Sequence, residues 1–188
     1  MELGVLNQEV SGGDLVMDSE EILKSDKIIS LLESELKSKG NTVYPKLPYI
    51  KGDIIGRRRY IFTTQPNMLE IQKDNTIIGY KVEGYKKRKG EYEPPAVYEG
   101  LDKALAYLIN PSIDEAGGKV VFRGSVFDYI YLVHGGDNRT MSEVIDKCTP
   151  IGFILVSGDD ITEVVKPKRN PFVNEDIKRM FLDDISMG

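Results

Sequence analysis

The sequence predicts an α/β domain with a central mixed sheet flanked by helices, and three observations carry that expectation. Amphipathic helical stretches occur near both ends of the chain and in its middle. Runs of β-branched and aromatic residues lie between them, and clusters of Gly, Pro, Asn and Asp separate the runs. A length of 188 residues suits one domain able to bury its own core. With 40% hydrophobic and 29% charged residues the chain is not globally disordered.

Taken in order, residues 1–18 mix Gly, Ser, Asp and isolated apolar residues without period and are expected to form a flexible N-terminal arm ahead of a single domain over 19–188. From Ser19 onward Ile22, Leu23, Ile28, Ile29, Leu31, Leu32 and Leu36 recur at helical spacing, and Gly40 offers a stop. NTVYP reads as a short strand ended by Pro45. Residues 59–64, 68–72 and 77–85 have strand character, with KDN as the turn between the last two, so the three are expected as neighbours in one meander. A charged loop, KKRKGEYEPP, leads to a second helix over 98–109 whose Leu101, Ala104, Leu105 and Leu108 share a face, stopped by Pro111. VVF, VFDYIYLVH, IGFILV and ITEVVKP follow as strands, with MSEVIDKC as a short helix. The last helix, NEDIKRMFLDDI, takes Asn174 as its N-cap.

Charge is distributed unevenly. The formal net charge is −5, yet Lys51 to Lys89 holds ten Lys/Arg against four Asp/Glu, a balance of +6 that leaves −11 elsewhere. Arg57, Arg58 and Arg59, then Lys86, Lys87, Arg88 and Lys89, bracket the central hairpin and are candidate contacts to a phosphate backbone, with Tyr85 and Tyr92 nearby. The bland alternative is a pair of solvated basic loops. The single Cys148 has no partner for a disulfide or thiolate cluster, the N-terminus lacks a basic and apolar leader, and no apolar run reaches bilayer length. A cytoplasmic protein with no membrane partner is expected, and the sequence leaves room for a homodimer. His134 has no second His or Cys at ligand spacing and reads as a strand-end polar residue. The Gly pairs at 12–13, 117–118 and 135–136 lack phosphate-loop context and read as turns.

The order helix, strand, hairpin, helix, strand, with PNMLEI followed by GYKVEG so that Lys81 lies fourteen residues after Asn67, resembles the PD-(D/E)xK nuclease superfamily, especially its archaeal resolvase-like and related uncharacterised members. The YEGLDKALAYL helix, where Gly100, Lys103 and Ala104 fall in the family's Gly and Gln-Ala frame, and GFILVSGDDITEVVKPKRNPF add to the likeness, which covers residues 27–172. The resemblance implies a restriction-endonuclease-like αβββαβ core and an ancestral Mg²⁺- or Mn²⁺-dependent phosphodiester hydrolysis on DNA. In such a site two acidic residues hold the cation and a lysine two positions along the strand faces the scissile phosphate. Residues i and i+2 of a strand lie on one face about 6.5 Å apart, so both reach one phosphate.

The positions matching that motif are Asn67, Lys81 and Glu83, with Lys103 on the following helix. An amide replaces the first acid, and acid and lysine are exchanged as KVE. An Asn oxygen ligates Mg²⁺ weakly and Lys81 brings an ammonium, so Glu83 is the one anionic ligand left among the matched positions. Three outcomes stay open: a plain ion pair on an ordinary strand, a degenerate site that retains nucleic-acid contact, or a rearranged site using Glu83 and Lys103 with Glu70 or Glu33 supplying further oxygen. The function expected is a nuclease-family protein acting on or binding DNA, with a non-catalytic DNA-binding or protein-interaction scaffold as the alternative.

Overall fold

The computed structural model describes residues 23–45, 54–55, 58–61, 66–109, 112–115, 119–122, 124–136 and 139–186, with backbone alone for 54–55, 58–61, 112–115 and 119–122. The expected arm over 1–18 and Arg57 lie outside the described residues.

Helix α1 (Ser25–Ser38) buries Ile28, Leu32 and Leu36, spaced four apart on one stripe. It is followed by β1 (Thr42–Tyr44), β2 (Ile54–Ile55), β3 (Arg58–Ile61) and the hairpin β4 (Met68–Ile71) and β5 (Ile77–Glu83). The KDN turn forms as expected. Gln72 and Thr76 close it, Asn75 takes a φ of 67°, and Asp74 Oδ1 accepts the Thr76 amide at 3.0 Å. A small hairpin, β6 (Lys86–Arg88) and β7 (Glu91–Glu93), precedes α2 (Val97–Ala106). Next come β8 (Ser112–Glu115), β9 (Lys119–Phe122), β10 (Tyr129–Gly135), α3 (Ser142–Cys148), β11 (Gly152–Ser157), β12 (Asp160–Val165) and α4 (Glu175–Ser186). Asn174 caps α4, its Oδ1 accepting the amides of Asp176 and Ile177 at 3.1 Å.

The main sheet has six strands in the order β1-β4-β5-β10-β11-β12. β1, β4 and β5 are antiparallel, β10 runs parallel to both β5 and β11, and β12 returns antiparallel. The sheet is therefore mixed, and helices flank it. On one face α1 packs over Met68, Ile78, Tyr80, Val82, Val133 and Ile154. On the other, Val97, Ala104 and Tyr107 of the α2 segment join Ile145 and Phe181 over Leu69, Leu132 and Phe153. All seven residues of β5 are buried, which is what a central strand covered on both faces requires.

One expected neighbour is wrong. The strand near 59–64 does not border 68–72; β3 sits in a separate four-stranded sheet, β2-β3-β8-β9, and β1 borders β4 instead. Strand character is local, whereas pairing is not. The segment between β1 and β4 finds its partner in the hairpin that follows α2, far along the chain.

Gly84 lets the end of β5 meet the start of α1. A Cβ there would fall 2.4 Å from the Ser25 amide nitrogen, so only glycine fits this crossing. Ser25 Oγ accepts the Gly84 amide at 3.0 Å and Leu23 O accepts that of Tyr85 at 2.9 Å.

Candidate functional site

Strand parity decides which side chains meet. In β5 the odd positions face α2, so Lys81 and Glu83 lie on one side and Tyr80 and Val82 on the other. Asn67 precedes β4 with the parity of Leu69, and its Oδ1 accepts the Val82 amide at 2.9 Å and the Lys81 Nζ at 3.0 Å. Lys81 Nζ stands 3.2 Å from Glu83 Oε1. The ammonium thus sits between the amide oxygen of one strand and the carboxylate of the next.

Three further groups close around Glu83. Lys86, just past β5, reaches Oε2 at 3.1 Å and Glu99 at 3.7 Å, and Lys103 of α2 approaches Oε1 at 3.7 Å. Gly100 makes room for the carboxylate, since a Cβ at 100 would fall 2.8 Å from Glu83 Cγ and 2.7 Å from Leu132 Cδ1. Glu83 is 2% exposed and Lys81 9%, whereas Lys86 and Lys103 are partly open to solvent. Three ammoniums therefore face two carboxylates at the C-terminal end of β5, beside the parallel strand β10. Open α/β sheets bind ligands outside the carboxyl ends of such strands.

Burial alone would raise the Glu83 carboxyl, but Lys81, seconded by Lys86, overcomes it and holds the group below the usual 4.5. Burial lowers Lys81 from the usual 10.5, and the attraction of Glu83 counters only part of that. Glu83 Oε1 keeps its charge partner at 3.2 Å, yet among the described residues no donor points at it in hydrogen-bonding geometry.

His134, near the end of β10 as the sequence suggested, is a neighbour of Glu83 that the sequence did not reveal. It pairs in register with Glu83 across the parallel β5 and β10, is 3% exposed, and its Nε2 lies 3.1 Å from the Pro95 carbonyl, while Nδ1 has no hydrogen-bond partner among the described residues. Burial lowers its pKa from 6.5. Parallel pairing across a helical crossover leaves no local signal that could have revealed this proximity.

Of the matched positions, the fold brings Asn67, Lys81, Glu83 and Lys103 together. Glu70 and Glu33 do not join them. Glu70 has the opposite parity and accepts hydrogen bonds from Asn41 (2.6 Å), Gln72 (3.2 Å) and the Tyr80 hydroxyl on the α1 face. Glu33 lies on α1 itself, paired with Lys37 at 2.6 Å. The basic hairpin is partly self-paired: Lys86 is held by Glu83 and Glu99, Arg88 lies 3.4 Å from Glu93, and the Lys87 ammonium stands 5.8 Å from the Tyr92 ring centre. Lys89 occupies the turn at φ 48°. Arg58 and Arg59 belong to β3 in the second sheet.

A divalent cation does not fit this set. Its hard oxygen shell would need converging anions, and the Lys81 ammonium already lies between the two oxygens that could start one. Among the described residues no three His, Cys, Asp or Glu side chains converge for a metal, and no helix is long and apolar enough to cross a membrane. No family model, curated protein or solved structure matches the chain.

Proposed function

We propose that the chain is a nucleic-acid-binding relative of the PD-(D/E)xK nucleases in which a lysine has taken the place of the divalent cation, so that it holds the phosphate backbone of DNA without hydrolysing it. The single observation that carries this is the Lys81 ammonium, 3.0 Å from Asn67 Oδ1 and 3.2 Å from Glu83 Oε1, at the positions the nuclease motif gives to its metal ligands. The order α1, β1, β4, β5, α2, β10, with three antiparallel strands and then a parallel one, is compatible with the αβββαβ core that the resemblance implies and supports the same reading.

Phosphate is attracted here by fixed ammoniums instead of by a metal. Lys86 and Lys103, at the open side of the cluster, offer donors to phosphate oxygens, and Lys81 behind them keeps Glu83 from repelling the anion. With the Lys81 ammonium seated between Asn67 and Glu83, and Glu99 on the far side of Lys86, these residues offer no converging carboxylates to hold a cation and activate water.

The test is a gel-shift titration of DNA beside nicking of supercoiled plasmid, each with chelator and with Mg²⁺ or Mn²⁺. Binding that survives chelation, with no nicking, is expected. Metal-stimulated nicking would overturn the reading, and absence of DNA binding under all conditions would favour a protein-interaction scaffold on the same fold.

A further inference from the structure

The basic hairpin that follows β5 has two unlike faces. Residues directly opposite each other in an antiparallel pair share a face, so Lys86 with Glu93 and Arg88 with Glu91 make one, and Lys87 with Tyr92 makes the other. The first face is charge-paired. Lys86 reaches Glu83 and Glu99, and Arg88 lies 3.4 Å from Glu93, so this side joins the hairpin to the lysine cluster. On the second face two ammoniums stand beside the Tyr92 ring, Lys87 Nζ at 5.8 Å and Lys24 Nζ at 5.3 Å from its centre. Lys24 comes from the residue ahead of α1 and is brought here by the Gly84 crossing, where Leu23 O accepts the Tyr85 amide at 2.9 Å. All three side chains are exposed, and among the described residues no carboxylate lies within ion-pair distance of Lys24 or Lys87.

We propose that this face takes a base of single-stranded DNA stacked on the Tyr92 ring, with Lys24 and Lys87 on the phosphates beside it, a proposal that rests on DNA being the ligand of the neighbouring lysine cluster. A nucleotide joins an aromatic ring to an anion. The face offers the complement of both, an open aromatic surface for the base and unpaired ammoniums for the phosphates.

Duplex DNA suits this face less well. Its bases are stacked on both sides within the helix and unstacking one costs energy, whereas an unpaired strand can lay a base on a tyrosine freely. A two-stranded ribbon can enter the major groove, but base edges are read there mainly by guanidinium forks and side-chain amides. The single guanidinium of residues 86–93, on Arg88, is turned to Glu93, and the segment holds no Asn or Gln.

Fluorescence anisotropy of labelled strands titrated with the full chain in chelator tests this, comparing an oligothymidylate, an abasic strand of equal length and a duplex of equal length. The oligothymidylate is expected to bind about tenfold more tightly than the abasic strand, and more tightly than the duplex. Tyr92→Ala should weaken oligothymidylate binding by about tenfold and leave abasic and duplex affinities unchanged, while Tyr92→Phe keeps the preference. Tyr92 lies on the exposed hairpin, so its removal leaves the core intact. Phe172, an exposed aromatic beside Ser125 at the opposite end of the sheet, serves as control, and Phe172→Ala should change none of the three affinities. Equal binding of oligothymidylate and abasic strand, tighter binding of the duplex, or oligothymidylate affinity unaltered in Tyr92→Ala would each overturn the proposal while leaving DNA binding in place. No binding of any of the three would overturn DNA binding itself, and this proposal with it.

Discussion

Replacing Lys81 by methionine removes the most buried of the ammoniums around a carboxylate that is itself almost wholly buried. Breaking a buried pair costs about 3–5 kcal/mol when no other charge remains. Lys86 and Lys103 still face Glu83, so a loss near about 3 kcal/mol is expected in urea unfolding, with the double change Lys81→Met, Glu83→Gln less damaging than the single one. His134 gives a separate expectation. Its folded pKa lies below the unfolded 6.5, so the stability it contributes is present above 6.5 and is lost as pH falls through the folded value. Unfolding free energy measured from pH 7 downward should therefore decline before the carboxylates titrate, and His134→Gln should flatten that early slope. Glu83, depressed below 4.5, adds a further loss only as pH falls below that value. At this scale the meeting of Asn67, Lys81 and Glu83 was legible because a hairpin with a recognisable turn fixes register locally. The exclusion of Glu70 was not, because alternation tells which residues share a face and not which face carries the site.

At the scale of elements, α2 is positioned by Gly100. In an exposed helix alanine is favoured over glycine by about 1 kcal/mol, but overpacking a core costs about 1–3 kcal/mol. The contacts of 2.7 and 2.8 Å fall on Leu132 and on Glu83 itself, so Gly100→Ala should destabilise the fold on balance and displace the carboxylate. A lower urea midpoint together with weakened DNA binding would be the signature, and a more stable variant would show that α2 shifts freely. Caps and turns were readable from sequence, as Asn174 and the KDN turn attest, because their chemistry spans only a few residues. The placement of β3 was not, since its partner β8 lies more than fifty residues away and no local pattern encodes that pairing. His134 was readable as a strand-end residue, but its proximity to Glu83 was not, being reached only through the crossover from β5 to β10.

At the scale of the molecule, net charge conceals function as much as it reveals it. The chain is acidic overall, yet its basic excess lies between residues 51 and 89 and ends beside the lysine cluster. Association with DNA should therefore be electrostatic and weaken steeply with salt. Changing Lys87, Arg88 and Lys89 to Ala should lower affinity for all sequences alike and reduce the salt slope, while unchanged affinity would move the binding surface elsewhere. Lys86 is better tested alone, because it also neutralises Glu83.

The central claim is that the Lys81 ammonium has replaced a divalent cation, and the most direct measurement is DNA affinity of the unmodified chain at constant ionic strength, with chelator and then with Mg²⁺, alongside plasmid nicking. If the lysine serves as the built-in cation, affinity is the same in both conditions and the plasmid stays supercoiled. Binding that requires Mg²⁺, or nicking that appears with it, would contradict the account.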